Sequence, residues 1–239
     1  MKPLDVSQLL RQHQSQVPEM ARSAVDRVYE DLHRRIVSLE LPPDATLTRA
    51  QLCEDYRVSQ TPVREALQRL EQAGLVKIYP QSRTVVSRID VTQLNETQFL
   101  REALETEVIR RLSRLQDEDL VARLSALVDM QELLAKDTSQ LSAFYRLDEL
   151  FHEQMFSAAG QLGLYWLVQS KSGHMARLRH LDLPSEGKMR DVIEDHRRIV
   201  DAIASGVPEQ ATEAMRHHLE GTLSRYQRLR EAYPNYFAD

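Results

Sequence analysis

The feature that most constrains this chain is the run Leu52-Cys53-Glu54-Asp55-Tyr56-Arg57-Val58-Ser59-Gln60-Thr61-Pro62-Val63-Arg64-Glu65-Ala66-Leu67-Gln68-Arg69-Leu70-Glu71-Gln72-Ala73-Gly74-Leu75-Val76. It reads as a short amphipathic helix, a tight turn at Val58-Ser59, and a second helix that stops at Gly74. From Gln60 on, the apolar positions Val63, Ala66, Leu67 and Leu70 recur at helical spacing, while Thr61, Arg64, Glu65, Gln68 and Gln72 share the other face. Ser59 or Thr61 can cap that helix, and Pro62 fits its first turn, where a missing N–H costs little. A helix that buries one stripe and offers a hydroxyl, a guanidinium and amides on the other suits a DNA major groove. Arg49, Ser59, Gln60, Thr61, Arg64 and Gln68 are the expected DNA contacts within this unit.

The surroundings of this unit add a wing. Residues 21–39 carry Val25, Val28, Leu32, Ile36 and Leu39 on one helical face, and Leu41-Pro42-Pro43-Asp44 breaks that helix. After Gly74 the period changes. Leu75–Tyr79 and Thr84–Ser87 are rich in β-formers and flank the turn Pro80-Gln81-Ser82-Arg83, a hairpin from which Lys77, Arg83 and Arg88 can reach phosphate or the minor groove. A net charge of −5 at first argues against a polyanionic partner. Residues 22–90, however, hold eleven Arg/Lys against ten Asp/Glu, whereas 91–239 hold eighteen against twenty-four. Such a weak basic excess neutralises few phosphates per copy, so it favours two copies on one duplex.

Other global signals are quieter. The lone Cys53 can form no internal disulfide and sits in an apolar stripe, as a buried thiol in a reducing compartment would. No apolar run approaches the ~20 residues of a membrane span, and the start lacks a signal-peptide core. A cytoplasmic protein is expected. The first 20 residues are polar and Gln-rich and read as a mobile arm, followed by a DNA-binding domain over 21–90. From 91 to 239 the pattern is helical throughout, with six periodic segments at about 92–115, 117–136, 140–159, 162–181, 189–204 and 208–230. The expected fold class is mainly α: a winged helix-turn-helix followed by an all-helical antiparallel bundle.

Four potential ligands interrupt the apolar faces of this bundle. Asp148 and His152 stand one turn apart on the stripe of Phe144, Leu147, Phe151 and Met155. His196 falls among Val192, Ile193, Ile199, Val200 and Ile203, and His218 among Ala211, Ala214, Met215, Thr222 and Tyr226. Any one histidine alone reads as a hydrogen-bonded core group. The four together suit one divalent ion, Zn, Ni or Mn, with coordination positions left open. His217, aligned with Gln210, Glu213 and Glu220, should face water. A carboxylate effector could complete the sphere, with Arg101 as a bidentate anchor, or else paired to Glu105, and Arg177 as a second clamp.

On these residues the chain resembles the GntR family of transcriptional regulators, in its FadR subgroup, whose C-terminal half is the FCD domain. The resemblance covers about residues 22–230. It rests on Val58-Ser59-Gln60-Thr61-Pro62-Val63-Arg64-Glu65-Ala66-Leu67 with Gly74-Leu75-Val76, then on Asp148-x-x-x-His152, on His196 within Glu194–Ile199, and on His218. Six helical segments resemble the shorter, VanR-type bundle. The resemblance implies a homodimer on an inverted-repeat operator, repressing in most members, and responsive to sugar acids, organic acids or amino acids. Three departures stand out: Gln60 where the family often has Arg, Arg83 where the wing tip usually has Gly, and Pro43-Asp44 in place of Pro-Gly. Asp tolerates the left-handed backbone such a turn needs.

A metal-dependent enzyme is the competing class, because a three-His, one-Asp site could activate water. It would need a positioned acid or base, and Glu149, Glu153 and Glu194 fall off the inward stripes. It would also leave the winged helix without a role. A purely architectural DNA binder would leave the inward Asp and His unexplained.

Overall fold

The computed structural model describes residues 23–79, 83–137 and 140–238; the expected arm at 1–20 and the wing turn 80–82 lie outside them. Helix α1 (Ala24–Val37) starts at Ser23, whose hydroxyl accepts the Asp26 N–H at 3.1 Å. Its buried Val28, Leu32 and Ile36 pack beneath the helix-turn-helix, formed by α2 (Arg49–Tyr56) and α3 (Gln60–Gln72). Arg57, left-handed at φ 54°, makes the turn between them. Ser59 takes the N-cap position of α3, but its side chain makes no capping bond. Val63, Ala66, Leu67 and Leu70 are buried as their spacing requires.

The wing is a three-stranded sheet of order β1-β3-β2, from β1 (Thr46–Leu47), β2 (Val76–Ile78) and β3 (Thr84–Val86). Both pairings are antiparallel, with Val85 opposite Thr46 on one side and Lys77 on the other. Strand β1 is an addition to the expected hairpin. It follows Asp44, which adopts φ 65° as the Pro43-Asp44 turn demands. Cys53 is half-buried rather than buried.

The C-terminal half is helical: α4 (Val91–Leu115), α5 (Glu118–Leu134), α6 (Leu141–Ala158), α7 (Leu162–Lys171), α8 (Gly173–Asp182), α9 (Lys188–Ala204), α10 (Pro208–Leu223) and α11 (Tyr226–Ala232). Each expected periodic segment is present, but two are divided, so the described residues hold eight helices here where six were expected. The stretch 162–181 breaks at Ser172, whose hydroxyl bonds back to Val168 O at 2.7 Å. The neighbouring Gly173 lies against Leu75 of the winged helix; a Cβ there would stand 2.8 Å from Leu75 Cδ2. The break thus lies against a distant part of the chain. The stretch 208–230 divides at Ser224-Arg225.

Helix α4 runs through the middle of the bundle and packs on α6 to α10, burying Leu94, Val108, Ile109 and Leu112. Asp90 caps it, accepting the Thr92 N–H at 2.8 Å. The chain then returns to this junction at its far end. After the single turn Pro234–Tyr236, Phe237 forms a parallel bridge with Ile89 and is buried beside Leu94, Met175, Leu178 and Leu229.

Candidate metal centre

Helices α6, α9 and α10 bring Asp148, His152, His196 and His218 together. One ligand atom from each lies within 4.8 Å of all the others, and all four residues are buried. Ligands of a tetrahedral zinc ion, each about 2.1 Å from it, stand about 3.4 Å apart, so the widest of these separations must contract for the set to close on an ion. Two of the three imidazoles have a close partner for the outer nitrogen, and the third has a carboxylate nearby. His152 Nδ1 lies 2.6 Å from Glu105 Oε2, His196 Nδ1 lies 2.8 Å from Gln131 Oε1, and His218 Nδ1 lies 3.8 Å from Asp195 Oδ2. A carboxylate or amide oxygen at the Nδ1 of His152 and His196 holds the proton there and leaves the Nε2 lone pair pointing inward.

The inward atoms are left in want of a cation. His152 Nε2 and His218 Nε2 face each other at 3.2 Å, and His196 Nε2 lies 3.6 Å from Asp148 Oδ1. Neither His196 Nε2 nor Asp148 Oδ1 has a hydrogen-bond partner among the described residues. At 3.2 Å either one neutral ring donates its Nε2 proton to the other, or both lone pairs face a metal ion. Burial opposes a charged imidazolium: it pulls His218 down to about 4 and His196 well below its ordinary value, in each case with help from a neighbouring histidine. The donor set therefore fits a divalent ion. Phe151 stacks on His196 with centroids 4.0 Å apart and fixes that ring.

Burial alone would raise the Asp148 carboxyl. The Arg179 guanidinium, bonded to Asp148 Oδ2, and then the histidines outweigh it and hold the group well below the usual carboxylate range. Arg179 was not among the residues anticipated from sequence, and neither were Glu105, Gln131 and Asp195 as partners of the ligands. A cavity of about 20 Å³, enough for one water, adjoins Asp148 and His152 and is lined by Arg101, Tyr145, Glu149 and Arg179. Arg101 faces this cavity while paired with Glu105 at 2.7 Å, so both orientations read from sequence hold at once. Arg177 is not brought there; it is buried on another side of α8. His217 is exposed, as expected.

Glu149 and Glu153 need correction. The stripe placed them off the inward face, yet Glu149 lines the cavity and Glu153 is buried. Helix α6 is covered on more than one side, with Tyr165 of α7 against Phe156 and bonded to Glu149 O, so a single stripe underestimates its inward surface. Burial first, and nearby Asp148 and Glu153, push Glu149 up to about 7.

At the other end of the molecule, Arg49, Ser59, Gln60, Thr61, Arg64, Gln68 and Arg83 are all exposed. Lys77 Nζ and the Arg83 guanidinium both lie 5.5 Å from the Tyr79 ring on the wing.

Comparison with known proteins joins these two halves. Residues 24–86 match the model of the bacterial regulatory proteins of the gntR family, and residues 96–221 match the FCD domain. The chain belongs to the GntR family. It is similar to an uncharacterized HTH-type transcriptional regulator in an unstable DNA locus of Streptomyces ambofaciens, 34% identical over 211 residues that cover 88% of each chain. It is also similar to the HTH-type transcriptional repressor RspR of Escherichia coli (strain K12), 26% identical over 89% of this chain and 93% of that one. The solved structure of E. coli McbR/YncC shares the fold, with a TM-score of 0.71 at 20% identity, covering 89% of this chain and 99% of that chain. This GntR protein is thus a DNA-binding transcriptional regulator with an effector-binding FCD domain, and not an enzyme. Among the described residues no helix is long and apolar enough to cross a membrane.

Proposed function

We propose that this GntR protein is a metal-dependent repressor acting in the cytoplasm. Asp148, His152, His196 and His218 hold one divalent ion, Zn, Ni or Mn, and a small organic-acid or sugar-acid effector binds beside it to control operator affinity. The convergence of four buried ligand atoms within 4.8 Å of one another, two of them with no other partner among the described residues, carries this reading. Bound there, the ion would offer open positions to a carboxylate. Arg101 is its second anchor, and Arg179 joins Arg101 in place of Arg177. The cavity admits little more than water, so effector entry requires Arg179 to swing off Asp148. The repressor sign is supported by the description of the similar RspR protein.

In this reading the division near residue 90 separates reader from sensor, and Arg49, Ser59, Gln60, Thr61, Arg64, Gln68 and Arg83 contact DNA. The protein works as a homodimer on an inverted repeat, which places two recognition helices in successive major grooves. The test is a gel-shift titration on the DNA flanking its own gene, with zinc-loaded protein and a panel of small carboxylates. Two protomers per operator, released by at least one acid only when the metal is present, is the expected result. Release by the same acid in chelator, or one protomer per operator, would contradict it.

A further inference from the structure

The linker between winged helix and sensor is gripped from two sides. On one side the Ile89 N–H donates to Tyr236 O at 2.7 Å and the Ala238 N–H donates to Ile89 O at 2.9 Å. On the other, the Asp90 N–H donates to His174 Nδ1 at 3.2 Å. A ring nitrogen that accepts carries no proton, so the proton sits on Nε2, which lies 3.2 Å from Gly74 O and donates to it. One neutral imidazole thus ties the end of recognition helix α3, the linker and α8 together. Burial, and next the Arg177 charge, favour that neutral ring by pulling it down to about 4. Gly173 beside it admits Leu75 at a distance no other residue would allow.

Arg177, one turn further along α8, is out of place in this apolar junction. Its side chain is fully buried, and among the described residues none of its three guanidinium nitrogens has a hydrogen-bond partner. It is near enough to His174 and Tyr236 for their electrostatics to be coupled. Holding an unpaired guanidinium out of water is costly, and a surrounding that over-determines it is where such a cost is stored. Opening the junction would hydrate it.

We propose that His174, the linker Ile89-Asp90 and the C-terminal segment Pro234–Ala238 form a releasable clasp that fixes the winged helix on the sensor domain, with Arg177 beneath it keeping the clasp near its opening point. The clasp is built from contacts outside the metal centre, so it stands or falls apart from the metal reading. It gives the dimer a way to exchange one fixed spacing of its recognition helices for a looser one. Helix α8 also carries Arg179 on Asp148, so a displacement at the sensor cavity is delivered to His174 by the same ten-residue helix.

Hydrogen exchange on the full-length protein, read by mass spectrometry over residues 86–94 and referenced to Val108–Leu112 of α4, tests this. In the wild type the Ile89 and Asp90 amides should be protected. His174→Leu removes both bonds and should speed their exchange roughly tenfold. His174→Gln keeps one acceptor and one donor and should restore most of the protection. Arg177→Met removes the buried charge and should slow exchange, again by roughly tenfold, because an apolar side chain of similar volume suits the closed junction better. The α4 reference should not move in any variant. Wild-type exchange in His174→Leu would overturn the clasp. So would faster exchange in Arg177→Met, or a reference helix that loses protection in step with the linker, which would make both residues ordinary core groups.

Discussion

Replacing Arg179 by Met asks whether a guanidinium and a divalent ion compensate the same buried carboxylate. Asp148 is 1% exposed, and Arg179 bonds one of its oxygens directly. Removing one partner of a buried pair leaves an uncompensated charge and costs about 3–5 kcal/mol. For a chain of this size each kcal/mol moves the melting temperature by about 2–4 °C. Metal-free Arg179→Met should therefore melt about 6–20 °C below the wild type. An ion beside Asp148 Oδ1 supplies the missing charge, so zinc should raise the melting temperature more in the variant than in the wild type, where the carboxylate is already paired. The assay is thermal unfolding in chelator and in zinc, with metal content measured alongside. A variant that melts within about 2 °C of the wild type in chelator would refute the electrostatic reasoning. Equal zinc-induced shifts in both proteins would place the ion elsewhere.

Arg64→Ala should weaken operator binding by about 1–3 kcal/mol if the contact is to a base edge, with helicity and oligomeric state unchanged; an unaltered gel-shift midpoint at fixed salt removes Arg64 from the interface. The acid response of the metal-free protein combines two opposing signs. His218, with its folded value near 4, and His196, shifted the same way, contribute stability that is complete above the unfolded value near 6.5 and is lost as pH falls below it. Glu149, with its folded value near 7, contributes stability that is complete below the unfolded value and is lost as pH rises through 7. Glu149→Gln should therefore steepen the loss of stability between pH 7 and 5 by about 2–3 kcal/mol in urea unfolding with chelator. An unchanged slope would mean that Glu149 is ionised in the cavity.

The helix-turn-helix was legible because its buried positions, Val63, Ala66, Leu67 and Leu70, obey the helical period and the opposite face stays in water. The buried four-residue cluster was legible for the same reason inverted: Asp148, His152, His196 and His218 break otherwise apolar stripes. Helix α8 was not, because it has no dry and wet side to read. Gly173 through Leu178 and Asp182 are all buried, so the sequence pattern offered no ground for preferring Arg179 over Arg177. Two residues along a helix is a rotation of about 200°, and only the packing of α8 decides which arginine meets Asp148. The break at Ser172 lies beside Gly173, whose close neighbour Leu75 is far off in the chain and leaves no local signal. Glu149 was misplaced because α6 is covered from more than one direction. Strand β1, two residues long, is too short to carry an alternation.

The central claim is that the buried imidazoles and Asp148 are a metal site and not a core network. Elemental analysis of protein purified without chelator or imidazole tag, compared across wild type, His218→Ala and His217→Ala, tests it most directly. The exposed His217 is the control, one residue from a buried ligand. The account predicts close to one divalent ion per chain in wild type and His217→Ala, and a loss of most of it in His218→Ala. Metal-free wild type, or equal loss from both variants, would contradict it.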